Sequence, residues 1–149
     1  MAVLRRRALV AGVGIDLVDL EEFRAGLTDD GVELLCLPDE IAYARTQARP
    51  WENLGARQAA KRAVFRALGA EVGEEPAWHD VEVLRSESGE LDVRLTGTAL
   101  ALAERRGVSG CSISMTHTRG VALAVAVLED GSDRQHHATP EGDSLGQHR

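Results

Sequence analysis

Apolar positions along this chain follow two periods. From Ala8 the run ALVAGVGIDLV, rich in Val and Ile with two glycines, predicts a buried strand, with a single acid, Asp16, near its end. Leu20–Leu27 is helix-like and acidic at Asp19, Glu21 and Glu22, and Thr28-Asp29-Asp30-Gly31 predicts a turn. Val32–Leu37 is a short apolar piece. Pro38-Asp39-Glu40 then predicts the first turn of a helix through Tyr43, broken at Arg49-Pro50-Trp51. Between Asn53 and Gly69 the apolar residues Ala56, Ala60, Ala63, Val64, Ala67 and Leu68 recur at helical spacing, with Gly69 where a helix commonly ends.

The second half returns to period two. Val81–Leu84 and Leu91–Leu95 alternate around Ser86-Glu87-Ser88-Gly89-Glu90, the pattern of a hairpin, after a loop from Ala70 to Ala77. A helix over ALALAERRG follows, capped by Thr96 or Thr98 and ended at Gly107, and two further strands fit Cys111–Thr116 and Val121–Leu128. Residues 1–7 read as a frayed start. From Glu129 onward the chain has almost nothing apolar to bury and cannot repay its ordering entropy, so a tail over 131–149 is expected to be disordered, His136 and His137 with it. The order of strand, helices, hairpin, helix and hairpin predicts one α+β domain over 8–130, an antiparallel sheet packed on helices.

Composition changes this picture by exclusion. With 149 residues, 44% of them hydrophobic, the chain can bury a core, and its net charge of −7 argues against nucleic acid as a partner. Cys36 and Cys111 have neither metal spacing nor a disulfide framework, and MAVLRRRALVAG is too short for a signal peptide or a membrane span. A reduced, cytoplasmic protein is expected.

Against that acidic background the Asn53–Gly69 helix stands out. At about 100° per residue Arg57 lies near Lys61 and Arg62 near Arg66, and no acid inside the helix neutralises them. Four such cations either meet a small anion or form a solvated basic face. Asp16, an acid among β-formers, is either a cap for the following helix or a ligand.

Three pieces stand together in order: Gly12-x-Gly14-x-Asp16, Arg57-x-x-x-Lys61-Arg62-Ala63, and Ser114-Met115-Thr116-His117-Thr118. From about Ala8 to Glu129 the chain resembles the holo-acyl-carrier-protein synthase family of 4′-phosphopantetheinyl transferases. The resemblance implies that family's fold, a homotrimer with coenzyme A in clefts between subunits, and transfer of the phosphopantetheine arm to a serine of an acyl carrier protein. It implies Asp16, Lys61, Arg62 and His117 as catalytic positions, Arg57, Arg66 and Thr116 as coenzyme-binding ones, and Asp16 as a metal ligand. A divalent cation such as Mg²⁺ on the pyrophosphate would neutralise the oxygens that oppose attack at phosphorus.

Three departures qualify what is carried over. Where the family has Lys-Glu-Ala this chain has Lys61-Arg62-Ala63, so the second metal carboxylate has become a cation, which argues against a tight Mg²⁺ site and for an Asp16–Arg62 pair. Glu21-Glu22 stand where the family places arginine for docking an acidic carrier, and Gly89-Glu90-Leu91 replaces Gly-Lys-Pro. Two functions follow: a transferase in which Arg62 stands in for the metal's charge, or a repurposed homologue, a metal-independent enzyme or binding subunit of a polyketide or fatty-acid pathway. In the second, Asp16, Arg62 and His117 would form one cluster in the old cleft.

Overall fold

The computed structural model describes residues 9–70 and 77–131. The expected frayed start, most of the Ala70–Ala77 loop and the tail beyond Gly131 lie outside the described residues.

Strand β1 (Val10–Asp19) leads into α1 (Leu20–Gly26), α2 (Asp29–Leu35), α3 (Pro38–Arg45) and the long α4 (Pro50–Ala67). A single 3-10 turn at Trp78–Asp80 opens the hairpin β2 (Val81–Arg85) and β3 (Leu91–Leu95), and α5 (Gly97–Arg105) precedes β4 (Val108–His117) and β5 (Val121–Asp130). The three long strands form one antiparallel sheet in the order β1-β5-β4, and β2-β3 is a separate two-stranded ribbon. Val13, Ile15 and Leu17 of β1 face one side of the sheet, while Gly14, Asp16 and Val18 face the other, where α4 lies.

That packing is unusually close because both sides are made of small residues. Ala59, Ala60, Ala63 and Ala67 of α4 and Ala122, Ala124 and Ala126 of β5 are buried together. A Cβ on Gly12 would sit 2.2 Å from the Ala67 carbonyl oxygen, and one on Gly14 only 1.8 Å from that of Ala63. The two glycines let the strand backbone rest on the helix backbone.

Several expectations change. Thr28-Asp29-Asp30-Gly31 is the start of α2 and not a free turn, because the Thr28 hydroxyl accepts from Gly31 N at 3.0 Å and two acids suit a helix's first turn. Pro50 begins α4 and does not merely break the helix before it. Helix α5 is held at its start by Asp80, whose Oδ2 accepts from Thr98 N at 2.7 Å, and neither Thr96 nor Thr98 caps it by side chain. Glu129 and Asp130 belong to β5, and Asp130 N donates to Leu9 O at 2.8 Å, so the ordered chain extends past Leu128. Asp16 is no cap: Asp19 caps α1, accepting from Glu22 N at 3.0 Å.

Candidate active site

The cations of α4 divide into two pairs with opposite fates, which corrects the expectation of one cationic face. Arg57 and Lys61 point inward and are fully buried. Lys61 Nζ donates to the Leu35 carbonyl at 2.7 Å, to Glu40 Oε2 at 2.8 Å and to the Trp78 carbonyl at 3.2 Å. Glu40, equally buried on α3, also accepts from the backbone N–H groups of Leu37 and Val83 at 2.7 and 2.9 Å. An ammonium has three donors, and all three are taken. Arg57 donates to Asn53 Oδ1 and lies over the Tyr43 ring, 5.0 Å from its centroid; burial pulls its pKa down against the pull of Glu40. No acid within the helix neutralises these cations because the acid comes from α3.

Arg62 and Arg66 stay at the surface and converge on Asp16. Arg66 Nη2 stands 3.1 Å from Asp16 Oδ1 while its Nη1 donates to the Ile15 carbonyl at 3.0 Å, so it grips strand β1 twice. Arg62 Nη1 is 3.9 Å from Asp16 Oδ2, an ion-pair distance but no hydrogen bond, and that oxygen is buried without a hydrogen-bond partner. The Asp16 side chain is 5% exposed, against 43% and 54% for Arg62 and Arg66. Burial pushes the Asp16 carboxyl above its ordinary value, opposed by Arg66, then Arg62, and by the Leu17 backbone N–H. The guanidinium of Arg62 also lies 5.7 Å from the centroid of the Trp78 ring and borders an open cavity of about 530 Å³, lined besides by Asp19, Glu22, Phe23, Leu34 and Trp78.

His117 belongs to a different cluster. Its Nδ1 is 3.2 Å from Glu52 Oε2, whose other oxygen accepts from Arg49 at 3.1 Å. Glu52 is in the first turn of α4, ten residues before Arg62, or about 15 Å along the helix axis. Met115 is level with Asp16 across Ala124 of β5, so His117 is also two strands away, about 10 Å. Within one chain the fold does not bring Asp16, Arg62 and His117 into one cluster. Thr116, next to His117, pairs with Leu123 and faces the side of the sheet away from α4.

Glu40, Glu52 and Trp78 organise these groups and were not legible as such in the chain. Glu40 had one signal, its place three residues after Leu37 at a helix start, but nothing in the spacing ties it to Lys61.

With this geometry in view, likeness to known proteins becomes informative. A model of the 4′-phosphopantetheinyl transferase superfamily matches residues 12–126. A holo-[acyl-carrier-protein] synthase of Frankia casuarinae is 43% identical over 121 residues, 80% of this chain and 98% of that protein. The chain belongs to the holo-acyl-carrier-protein synthase family. Among solved structures, the acyl carrier protein synthase of Mycobacterium tuberculosis matches at 35% identity with a TM-score of 0.61, over 81% of this chain and 98% of that one. The holo-(acyl-carrier-protein) synthase of Bacillus anthracis, solved in complex with CoA (3′,5′-ADP), matches at 26% identity and a TM-score of 0.67, over 83% and 99%.

A divalent cation, implied for this family, does not suit the residues present. Asp16 is the one carboxylate at the seat, and the guanidiniums of Arg62 and Arg66 stand 3.9 and 3.1 Å from it, so an ion would draw its remaining oxygens from water and phosphate while facing two fixed cations. Among the described residues no three of His, Cys, Asp or Glu gather to hold a metal.

Proposed function

We propose that this chain transfers the 4′-phosphopantetheine arm of coenzyme A to a serine hydroxyl of an acyl carrier protein. The observation that carries the reading is the 43% identity running through 98% of a holo-acyl-carrier-protein synthase. The half-exposed Arg62 and Arg66 support it, because one guanidinium fixed on a buried carboxylate and a second held near the same carboxylate offer a seat for a pyrophosphate. Serine oxygen bonds to the phosphorus that bears pantetheine, the bridging P–O bond breaks, and its electron pair leaves with adenosine 3′,5′-bisphosphate.

The serine proton passes to His117. Glu52 holds the Nδ1 side of the imidazole, which leaves Nε2 as the acceptor. His117 and Thr116 act on coenzyme seated against Asp16, Arg62 and Arg66 of a neighbouring subunit in a homotrimer. The sheet face turned away from α4 supports that assembly: Val13, Ile15 and Leu17 are 55%, 52% and 60% exposed in a continuous apolar strip. Ile15→Asp, which leaves the Ile15 carbonyl to Arg66, is expected to convert trimer to monomer and to abolish transfer. Sedimentation velocity checks it, and a wild-type protein that sediments as a monomer defeats the shared cleft.

Incubation with coenzyme A and an apo carrier protein, read by intact mass, tests the activity itself. Glu21 and Glu22 on α1 repel an acidic docking face, so carriers of both acidic and basic docking surfaces belong in the assay. The expected result is a carrier heavier by one phosphopantetheine arm. No mass gain on any carrier would favour the repurposed homologue.

A further inference from the structure

We infer that the phosphate seat of this chain works without a divalent cation, the guanidiniums of Arg62 and Arg66 supplying the countercharge that an ion would otherwise bring. The inference rests on the transferase reading above but concerns the binding of coenzyme A itself, which can be measured without any transfer.

The charges decide the question. Asp16, Arg62 and Arg66 sum to one positive unit, carried by the two guanidiniums, while the acids Asp19 and Glu22 line the cavity that Arg62 borders. A pyrophosphate is drawn to that site, whereas a divalent cation entering it meets two guanidiniums within a few ångströms of its single carboxylate. Strand β1 cannot swing Asp16 away from them, because Gly12 and Gly14 lie in backbone contact with α4 and Arg66 holds the Ile15 carbonyl as well.

The two arginines are prepared differently. Arg66 is fixed by Asp16 and Ile15 and acts as a placed charge. Arg62 makes no hydrogen bond among the described residues: it stands 3.9 Å from Asp16 Oδ2, steadied by the Trp78 ring, at the edge of the cavity. Its donors are therefore available as a planar fork for two phosphate oxygens, which an ammonium could not match bidentately. Asp16 orients this fork and does not serve as a ligand. In the transfer step the bonds made and broken are those given above. The guanidiniums keep their protons and stabilise the charge that accumulates on the leaving bisphosphate oxygen.

The experiment uses the full chain freed of metal with EDTA and then dialysed. Coenzyme A binding is measured by calorimetry with EDTA or with Mg²⁺, and Mn²⁺ binding to the ligand-free protein is measured by electron paramagnetic resonance. Expected for the wild type are coenzyme affinities within twofold under the two conditions and no protein-bound Mn²⁺. Arg62→Gln is expected to weaken coenzyme binding in EDTA at least tenfold, with Arg62→Lys recovering part of it. Arg62→Glu is expected to bind Mn²⁺ at least tenfold more tightly than wild type and to make coenzyme binding depend on Mg²⁺. Circular dichroism melts keep these variants interpretable, and if Arg62→Glu fails to fold, the wild-type titrations and Arg62→Gln decide. A wild type that binds Mn²⁺ tightly, loses tenfold or more in coenzyme affinity in EDTA, or binds coenzyme as well with Gln at position 62 overturns the inference. Failure to modify any carrier would sink the transferase reading instead and leave these titrations standing.

Discussion

Replacing Lys61 by methionine is expected to lower the melting temperature by roughly 12–20 °C, since removing one partner of a buried ion pair costs about 3–5 kcal/mol and each kcal/mol is worth about 4 °C in a domain of this size. The volume and the apolar stem are kept, so packing is not what is lost. The charged head is: Glu40 stays buried with a negative charge and two backbone donors, and the carbonyls of Leu35 and Trp78 lose their N–H partner. Three separate pieces of chain, α2, α3 and the Trp78 turn, meet at this one ammonium, and β2 is tied to the same pair through Glu40. Thermal unfolding followed by circular dichroism checks it. A shift below about 3 °C would mean that water reaches Glu40 once the lysine is gone, since a solvated pair is worth only about 1 kcal/mol.

Gly14→Ala is expected to be as damaging for a purely steric reason. Its Cβ would meet Ala63 O at 1.8 Å and Ala63 C and Ala67 N at 2.8 Å, all of them backbone atoms of a helix that cannot yield locally. Strand and helix must part, at a cost of about 3 kcal/mol or more. Because Asp16 rides on the strand and Arg66 on the helix, the 3.1 Å contact between them opens too, and coenzyme binding is expected to fall with stability. Gly26→Ala is the control: nothing lies within 4 Å of a Cβ there, and alanine in a helix gains up to about 1 kcal/mol. Melting curves and coenzyme titrations of the two variants separate them. Equal stability in both would show that β1 and α4 slide apart freely.

These two positions also mark how far the chain could be read before its structure. Gly12 and Gly14 were visible as glycines in an apolar strand, but the reason for them, the carbonyls of Ala67 and Ala63 lying against them, exists only when a helix fifty residues on folds across the strand. The apolar period of α4 identified Ala56, Ala60, Ala63 and Ala67 as buried and missed Ala59, which is buried with them. It misassigned Arg57 and Lys61 because periodicity assumes that charge seeks water, and the acid that makes burial tolerable sits twenty-one residues away in sequence. Asp16 and Arg62 were expected to pair, and they do approach at 3.9 Å, yet Arg66 makes the shorter contact at 3.1 Å. The polar run Thr28-Asp29-Asp30-Gly31 hid α2, since the residues that cap and start a helix are also those that make turns. Local pattern located the elements and most of the charged groups; partners distant in sequence determined which groups reached the surface.

The strand order carries a consequence for how the chain comes into being. The centre of the sheet, β5, is the last strand of the described chain, and both of its neighbours precede it. Synthesis adds about 5–20 residues per second, so β1 waits about 5–20 s, roughly a hundred residues, for the strand that hydrogen-bonds along its edge. In that interval α4 is the surface already made that β1 fits, and the glycines that seat one on the other give the nascent strand somewhere to lie. A chain stopped anywhere before Val121 therefore keeps no smaller version of the sheet: β1 and β4 remain without the one strand that both of them pair with.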